Sequence, residues 1–499
     1  MDAIVIGSGF GGAVVAARLV DAGFTVTVVE RGPWRDTAPV QAAGIAERAP
    51  LPRTGGMRYA LRTLHLPFGP ARGLTINRHG LLELRVAKTV KTVCASAVGG
   101  GSDIWAALMA RPPADYWDGR AHGVSSAMMA GHYDRVFREL GAAKPRSPAT
   151  VPNYSSHAWQ DQSFFSAISE EEQPYMGFHH PRGDVGNVME QGAQRPPVDY
   201  GQSNGIFGSP TGAKAGVDAC YLVPALGTGK LTVLASHEAH SVAKTSDGHY
   251  RVVVTDLRRN TNATLSAPVV IVAAGTMNTL RLLFESRDQG LLDGMPALGN
   301  GFGTNGDCMA SWTVNDTPVR DSCLGTPSHG RVKIKGHEDT GYVILAAGEP
   351  PPVPTLLRNF VRRSVARTYQ VIGMGQDAAD GKVTHERGRL NIAFNLGGSP
   401  IYRRLFEAFG ELGAQSGWRL KFNEKSALVA HAMGGCRIAD EASRGVVDGS
   451  GEVHGHTGLY VADASVFPQP VGVPPSMSIA AWASHVGDIV ARRLAAVTR

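Results

Sequence analysis

Ile4-Val5-Ile6-Gly7-Ser8-Gly9-Phe10-Gly11-Gly12, followed by the apolar run Val26-Thr27-Val28-Val29 and then Glu30, decides the fold of this chain. The order is strand, glycine turn, helix, strand and acid, which suits a protein that holds a dinucleotide. Gly7 permits a sharp turn, Gly9 lets the backbone approach a pyrophosphate, and Gly12 lets a helix over residues 13–22 pack against its strand. The start of that helix offers unpaired N–H groups and a partial positive charge to phosphates. Glu30 can then accept the hydrogen bonds of an adenosine ribose. In a chain with 61 glycines a bare glycine spacing would carry little, and it is the flanking strands, helix and acid that give it weight. The turn alone serves NAD and FAD equally.

With 499 residues, 43% of them hydrophobic and 18% charged, the chain can bury large cores and is expected to form two domains. A formal charge of +6 spread over that length, with no Lys/Arg tract, excludes nucleic acid as the expected partner. Cys94, Cys220, Cys308, Cys323 and Cys436 are scattered, odd in number and without a C-x-x-C pair, which argues against a disulfide framework and against a zinc site. No metal is expected. A first strand beginning at residue 3 leaves no room for a secretory leader, and no apolar run reaches the length of a membrane span. A reduced, cytoplasmic setting is the expectation.

Outward from the opening motif, residues 32–87 are rich in Pro, Gly and Arg and read as an irregular excursion of the kind that covers a site. A second glycine cluster, Val98-Gly99-Gly100-Gly101-Ser102, precedes a helix over 127–140, and residues 145–202 show little periodicity. Alternation returns at 231–234 and 250–254, two strands expected to join through Ser246-Asp247-Gly248. The buried run Pro268-Val269-Val270-Ile271-Val272-Ala273-Ala274-Gly275, with a helix over 279–285, returns the chain to its first domain. Strand-like pieces at 331–334, 342–346, 369–374 and 390–394, with a helix over 403–412, indicate a second sheet. The tail closes with a strand over 458–463 and a helix over 476–494. The expected class is α/β, with a nucleotide domain discontinuous in sequence (1–143, 201–308 and 424–499). An α+β second domain for substrate, built on a mostly antiparallel sheet, takes 144–200 and 309–423.

Seven motifs in order carry a resemblance. They are the 7–12 turn with Glu30, residues 97–102, Ile206-Phe207-Gly208-Ser209-Pro210-Thr211-Gly212-Ala213-Lys214, Ala273-Ala274-Gly275, Gly299-Asn300-Gly301-Phe302-Gly303-Thr304-Asn305-Gly306, His431-Ala432-Met433-Gly434-Gly435-Cys436-Arg437, and the 458–463 strand followed by Val471-Gly472-Val473-Pro474-Pro475. Together they resemble the glucose-methanol-choline (GMC) family of flavin oxidoreductases and, within it, the bacterial cholesterol-oxidase branch. The resemblance implies FAD rather than NAD. It places the backbone of Gly99, Gly100 and Ser102 against the flavin ring and pyrophosphate, Ala239 at the adenine, and Asp463 near the ribityl chain and phosphates. Phe10, Gly275 and Pro474 complete the implied cofactor contacts. It makes His431 the catalytic base that takes a hydroxyl proton while hydride leaves the carbinol carbon for flavin N5. No histidine lies between residues 80 and 120, where the family attaches flavin covalently, so dissociable FAD is expected.

The chain departs from the family in three places. Pro474 stands where the family has an Asn or a second His beside the flavin, and proline has neither a side-chain donor nor an N–H. Ser476, Asn395, His385 and Tyr369 are the candidate replacements. Asp103-Ile104-Trp105 stands where an Asn is usual, and no glutamate occupies 376–381, so coupled double-bond isomerisation is not expected unless Asp377 or Asp380 substitutes. A basic amphipathic stretch over 356–367 reads first as a solvated helix face, with a peripheral membrane contact or a bulky acidic substrate as the alternatives. The leading expectation is oxidation of a CH–OH group on a bulky, polycyclic or sterol-like small molecule, with O₂ or another acceptor taking the electrons. A flavoenzyme of another class (desaturase, isomerase or lyase-like) is the alternative raised by Pro474, and a flavin-bound protein without catalysis is a third.

Overall fold

A strand whose side chains are buried on both faces must be covered on both faces, which is how parallel sheets are built. Ala3–Ile6 and Val269–Val272 are buried at every position and lie side by side, Ala3 opposite Val269, at the centre of a five-stranded parallel sheet. In this computed structural model, which describes residues 1–52, 57–145, 168–172, 174–179, 185–188, 205, 207–313, 328–346, 356–357, 359–361 and 368–497, the strand order is Leu231–Ala235, Val26–Glu30, Ala3–Ile6, Val269–Val272, Leu459–Val461. One sheet therefore draws strands from the beginning, the middle and the end of the chain. The first helix, Phe10–Asp21, packs along the closing helix, Ser476–Val497, and that helix packs in turn on Ser126–Glu139.

Two expectations about this half are corrected. Residues 32–87 are not an irregular excursion, because Leu61–His65, Leu74–Thr75 and Leu82–Val86 join Val90–Ala95 and Ala427–Val429 in a second five-stranded sheet. The prolines and glycines lie mostly in its connections, and the alternating residues between them were short enough to escape notice. The strand at 231 is also not the hairpin partner of 250. It closes the parallel sheet, and the partner of Tyr250–Asp256 is His237–Lys244, with a bulge between Ala239 and Ser241. His237-Glu238-Ala239-His240-Ser241 has almost no apolar content, so nothing in its pattern announces a strand.

The second sheet expected from the sequence has six antiparallel strands in the order Ile168–Glu172, Ser328–Ile334, Tyr342–Ala346, Thr368–Met374, Cys308–Thr313, Arg419–Phe422. Helix Pro400–Ser416 covers one face through Leu405 and Phe409, so close at Gly373 that a side chain there would meet both. On the other face Tyr342, Ile344 and Met374 pack with Leu108, and Ala106, Ile372 and Val473 join them partly buried. The expected strand near 390 pairs elsewhere, in a three-stranded sheet with Gly381–Glu386 and Asn300–Phe302. Much of 145–202 and most of 356–367 lie outside the described residues, although Leu356, Leu357 and Phe360 are described and exposed. No helix among the described residues is long and apolar enough to cross a membrane.

Candidate active site

The carboxyl ends of the parallel strands open into a cleft of about 270 Å³, where an open α/β sheet places its ligands. Gly7, Gly9, Phe10, Glu30, Gly100, Ala239, Gly275, His431 and Asp463 all line it, although they come from seven separate parts of the sequence. Gly12, Gly99, Ser102 and Pro474 lie behind its wall. Gly12 is needed for packing, since a Cβ there would sit 1.9 Å from the Gly7 carbonyl oxygen. Gly100 brings the second glycine cluster onto the first: its φ is +52°, and a Cβ would stand 2.8 Å from Gly9 Cα. Ser102 braces that turn, its hydroxyl donating to the Gly99 carbonyl at 2.8 Å and accepting from Val217 N–H at 3.1 Å.

The first helix begins at Gly9 with no side chain capping it, so its opening N–H groups have no intrahelical partner. Glu30 is held on its far side. Its Oε2 accepts from Ser8 N–H at 3.1 Å and from the Ser8 hydroxyl at 2.7 Å, and its Oε1 from Gly32 N–H at 2.7 Å, which leaves one lone pair on Oε1 unclaimed. Burial pushes the Glu30 carboxyl pKa up, against the pull of those bonds. A charge network that the sequence did not reveal stands next to it: Arg31 pairs with Glu83 and lies 3.8 Å from Glu238, which Arg281 also holds at 2.8 Å. Burial opposes the charge on Glu238, but Arg31 and Arg281 outweigh it and bring its pKa down to about 2.

Asp463 ends the last parallel strand and ties it to helix Thr276–Asp288. Its Oδ1 accepts from Ser465 N–H and hydroxyl, and its Oδ2 from Gly275 N–H at 2.9 Å and the Thr279 hydroxyl at 2.5 Å. Trp105 lines the cleft edge-on to Phe10, centroids 4.9 Å apart. Its turn is fixed from behind by the Lys214 ammonium, which donates to the carbonyls of Asp103, Trp105 and Gly205 at 2.9, 3.1 and 2.9 Å. Asp103 and Asp218 are buried beneath the same turn, and burial raises both carboxyl pKa values, that of Asp103 further because Asp218 is near.

His431 carries a partner that the sequence reading missed. Its Nδ1 lies 2.8 Å from Asp307 Oδ1, while Asp307 Oδ2 accepts the N–H groups of Ala430 and His431 at 2.8 and 2.9 Å. Asp307 follows directly after the glycine-rich motif at 299–306, the one local signal that could have drawn attention to it. A carboxylate only accepts, so Nδ1 faces it as the N–H donor, and in the neutral ring Nε2 carries the lone pair. Of the four candidates for the group absent at Pro474, Ser476 alone lines the cleft. Asn395 caps a short helical turn through Gly398 N–H, His385 pairs with Asp288 at 2.7 Å, and Tyr369 sits against Trp312 in the second sheet. Asp377 is buried and accepts four hydrogen bonds, from Thr304 N–H and hydroxyl, Gly306 N–H and Ala379 N–H.

The fold and the cleft define a Rossmann-like protein whose cleft is lined by two glycine turns, Glu30 and the histidine of a histidine–aspartate pair. Models of the amino- and carboxyl-terminal parts of the GMC oxidoreductases match residues 184–290 and 407–483, and a model of an NAD(P)-binding Rossmann-like domain matches residues 5–34. The chain belongs to the GMC oxidoreductase family and is an oxidoreductase. It is 24% identical to a cholesterol oxidase of Acinetobacter baumannii over 97% of this chain and 93% of that one. It is 23% identical to a 2-methyl-1,2-propanediol dehydrogenase of Mycolicibacterium austroafricanum, over 99% and 95%. The fold is that of a pyridoxine 4-oxidase from Mesorbium loti, with a TM-score of 0.63, 17% identity and 98% of each chain covered. GMC oxidoreductases are flavoproteins, and the uncapped helix start, the open lone pair of Glu30 and the glycine-on-glycine contact at Gly9 and Gly100 fit FAD.

Proposed function

We propose that this oxidoreductase binds FAD without a covalent link and oxidises a CH–OH group on a bulky, polycyclic or sterol-like molecule, with His431 as the base. The observation that carries the reading is the 2.8 Å contact of His431 Nδ1 with Asp307, which leaves Nε2 as the proton acceptor of a residue on the cleft wall. Bound FAD supplies the two-electron acceptor for the hydride. The opening N–H groups of the first helix and Gly9 would hold its pyrophosphate, Glu30 its ribose, and the backbone near Ala239 its adenine. His431 Nε2 takes the hydroxyl proton as the carbinol C–H bond breaks, and Asp307 stabilises the imidazolium that results. Ser476 can donate the second hydrogen bond to the substrate oxygen that Pro474 cannot. That the substrate is bulky and sterol-like is supported by the 24% identity to a cholesterol oxidase over nearly the full chain. The electrons then pass to O₂ or to another acceptor.

The test is anaerobic mixing of the yellow protein with secondary alcohols, sterols included. Bleaching of the flavin band is expected, and H431N is expected to slow it roughly 10²–10⁴-fold. Bleaching by H431N at the parental rate would remove His431 from the mechanism. Acid precipitation is expected to release the flavin into the supernatant, and flavin retained in the pellet would contradict the non-covalent assignment. A second reading, chemistry other than alcohol oxidation, is favoured by Pro474, and it predicts no bleaching by any alcohol while the flavin remains bound.

A further inference from the structure

In strands Leu82–Val86 and Val90–Ala95 the usual alternation is inverted. Leu82, Leu84 and Val86 are half-buried, while Glu83 and Arg85 between them are buried, as is Thr92 on the neighbouring strand. The register gathers these polar residues on one face: Arg85 lies opposite both Thr92 and His65, and Glu83 lies opposite Cys94. His65, Glu83, Arg85, Thr92 and Cys94, with Met277 and Asn278 of helix Thr276–Asp288, line a cavity of about 10 Å³, room for one particle of water or small-ion size. Cys94, Met277 and Asn278 also line the main cleft, so the cavity lies directly behind its wall.

The polar groups around that cavity lack partners. Both ring nitrogens of His65 and the Thr92 hydroxyl are buried without a hydrogen bond, in side chains 6% and 1% exposed. His65 Nε2 stands 3.8 Å from Glu83, beyond hydrogen-bond reach, and burial holds the pKa of the ring down, so it is neutral and offers one N–H. Arg85 is 9% exposed and makes neither a hydrogen bond nor an ion pair with any described residue. The acids of this region are already matched: Glu83 by Arg31, with Arg62 at 3.9 Å, Glu238 by Arg281 at 2.8 Å, and Glu285 by Arg72 at 3.2 Å. With Glu30 on the cleft side included, five guanidiniums (Arg31, Arg62, Arg72, Arg85 and Arg281) stand against four carboxylates. Arg85 is the one left over. A buried charge is costly unless a counter-charge meets it.

We propose that this cavity holds one small monovalent anion of chloride size, with Arg85 as its counter-charge and the Thr92 hydroxyl and a His65 N–H as its hydrogen-bond donors. A water molecule would answer the unpaired donors but leave the Arg85 charge uncompensated. A cation is opposed by that same charge, and among the described residues no group of three or more His, Cys, Asp or Glu side chains is placed to hold a metal. The proposal stands apart from the alcohol-oxidation reading, because anion binding is measured without substrate.

The experiment follows thermal unfolding of the full-length, flavin-loaded protein at fixed pH and ionic strength, in sodium chloride and in sodium gluconate, whose anion is too large for the cavity. Chloride is expected to raise Tm by about 1–3 °C and the effect to saturate, as binding to one site of the folded state requires. R85M is expected to abolish the difference between the two salts. T92V leaves every charge in place and removes one donor, and is expected to weaken chloride binding about tenfold. In crystals soaked in sodium bromide an anomalous peak is expected between Arg85, His65 and Thr92. Equal Tm of the parent in the two salts overturns the proposal, as does a parental chloride response in R85M or parental chloride affinity in T92V. So does a cavity that holds water alone while bromide collects only at the surface, a result that stands whether or not R85M folds.

Discussion

His431 and Asp307 stand 124 positions apart in the chain and 2.8 Å apart in the fold. His431 could be read from its own segment, because a histidine followed by Gly434-Gly435-Cys436-Arg437 is a local pattern. Asp307 could not be assigned a role, since its significance lies in what the fold brings to it. D307N keeps an acceptor for Nδ1 but loses the charge that, in the proposed mechanism, steadies the imidazolium. It is expected to lower kcat about 10²-fold with KM little changed and flavin still bound, as steady-state kinetics with a reactive alcohol would register. S476A, if Ser476 supplies the second hydrogen bond, is expected to slow flavin reduction roughly tenfold, whereas N395A and H385A should leave the rate unchanged. An S476A enzyme as fast as the parent would exclude that role.

Helices and strands with a strong apolar rhythm were legible: the helices expected near 127–140 and 403–412 form at Ser126–Glu139 and Pro400–Ser416. What escaped was His237–Lys244, whose polar residues stay in a strand because the Tyr250–Asp256 ladder satisfies their backbone. Two predictions belong to contacts between elements. Alanine at Gly100 would place a Cβ 2.8 Å from Gly9 Cα at a φ of +52°. G100A is expected to lose about 1–3 kcal/mol of stability and to purify with less flavin, measurable by urea unfolding and by the ratio of flavin to protein absorbance. Where helix Ser126–Glu139 meets the closing helix, burial and the neighbouring His485 ring press the pKa of His132 down to about 4. Between about pH 6.5, where the unfolded chain takes up this proton, and about 4, the unfolded state binds more protons than the folded one. Stability is therefore present above that window and is lost as pH falls through it. H132Q should lessen the acid-side loss by about 1 kcal/mol, allowing for the partial exposure of the ring, in urea midpoints measured on either side of the window.

Across the whole molecule, the cleft joins the glycine turns at 7–12 and 99–102, the strand at Ala239, the start of helix Thr276–Asp288, His431 and Asp463. A cofactor bound there clamps sheet, helices and both chain ends together, so its removal is expected to weaken the entire unit. FAD at about a hundred times its Kd should add about 2.7 kcal/mol to the stability of the apoprotein and raise Tm by a few degrees, as differential scanning calorimetry would detect. An unchanged Tm would mean that the cleft does not hold it. By itself the sequence determined the glycine turn, the buried runs at 3–6 and 269–272 and the histidine motif, because each is a pattern within a few residues. Only the tertiary structure decided that Asp307 meets His431, that Arg31 and Arg281 converge on Glu238, that Ser476 rather than Asn395 reaches the cleft, and that His65, Arg85 and Thr92 line one small cavity. Those are contacts between distant segments, and their partners are set by how sheets and helices pack rather than by any pattern along the chain.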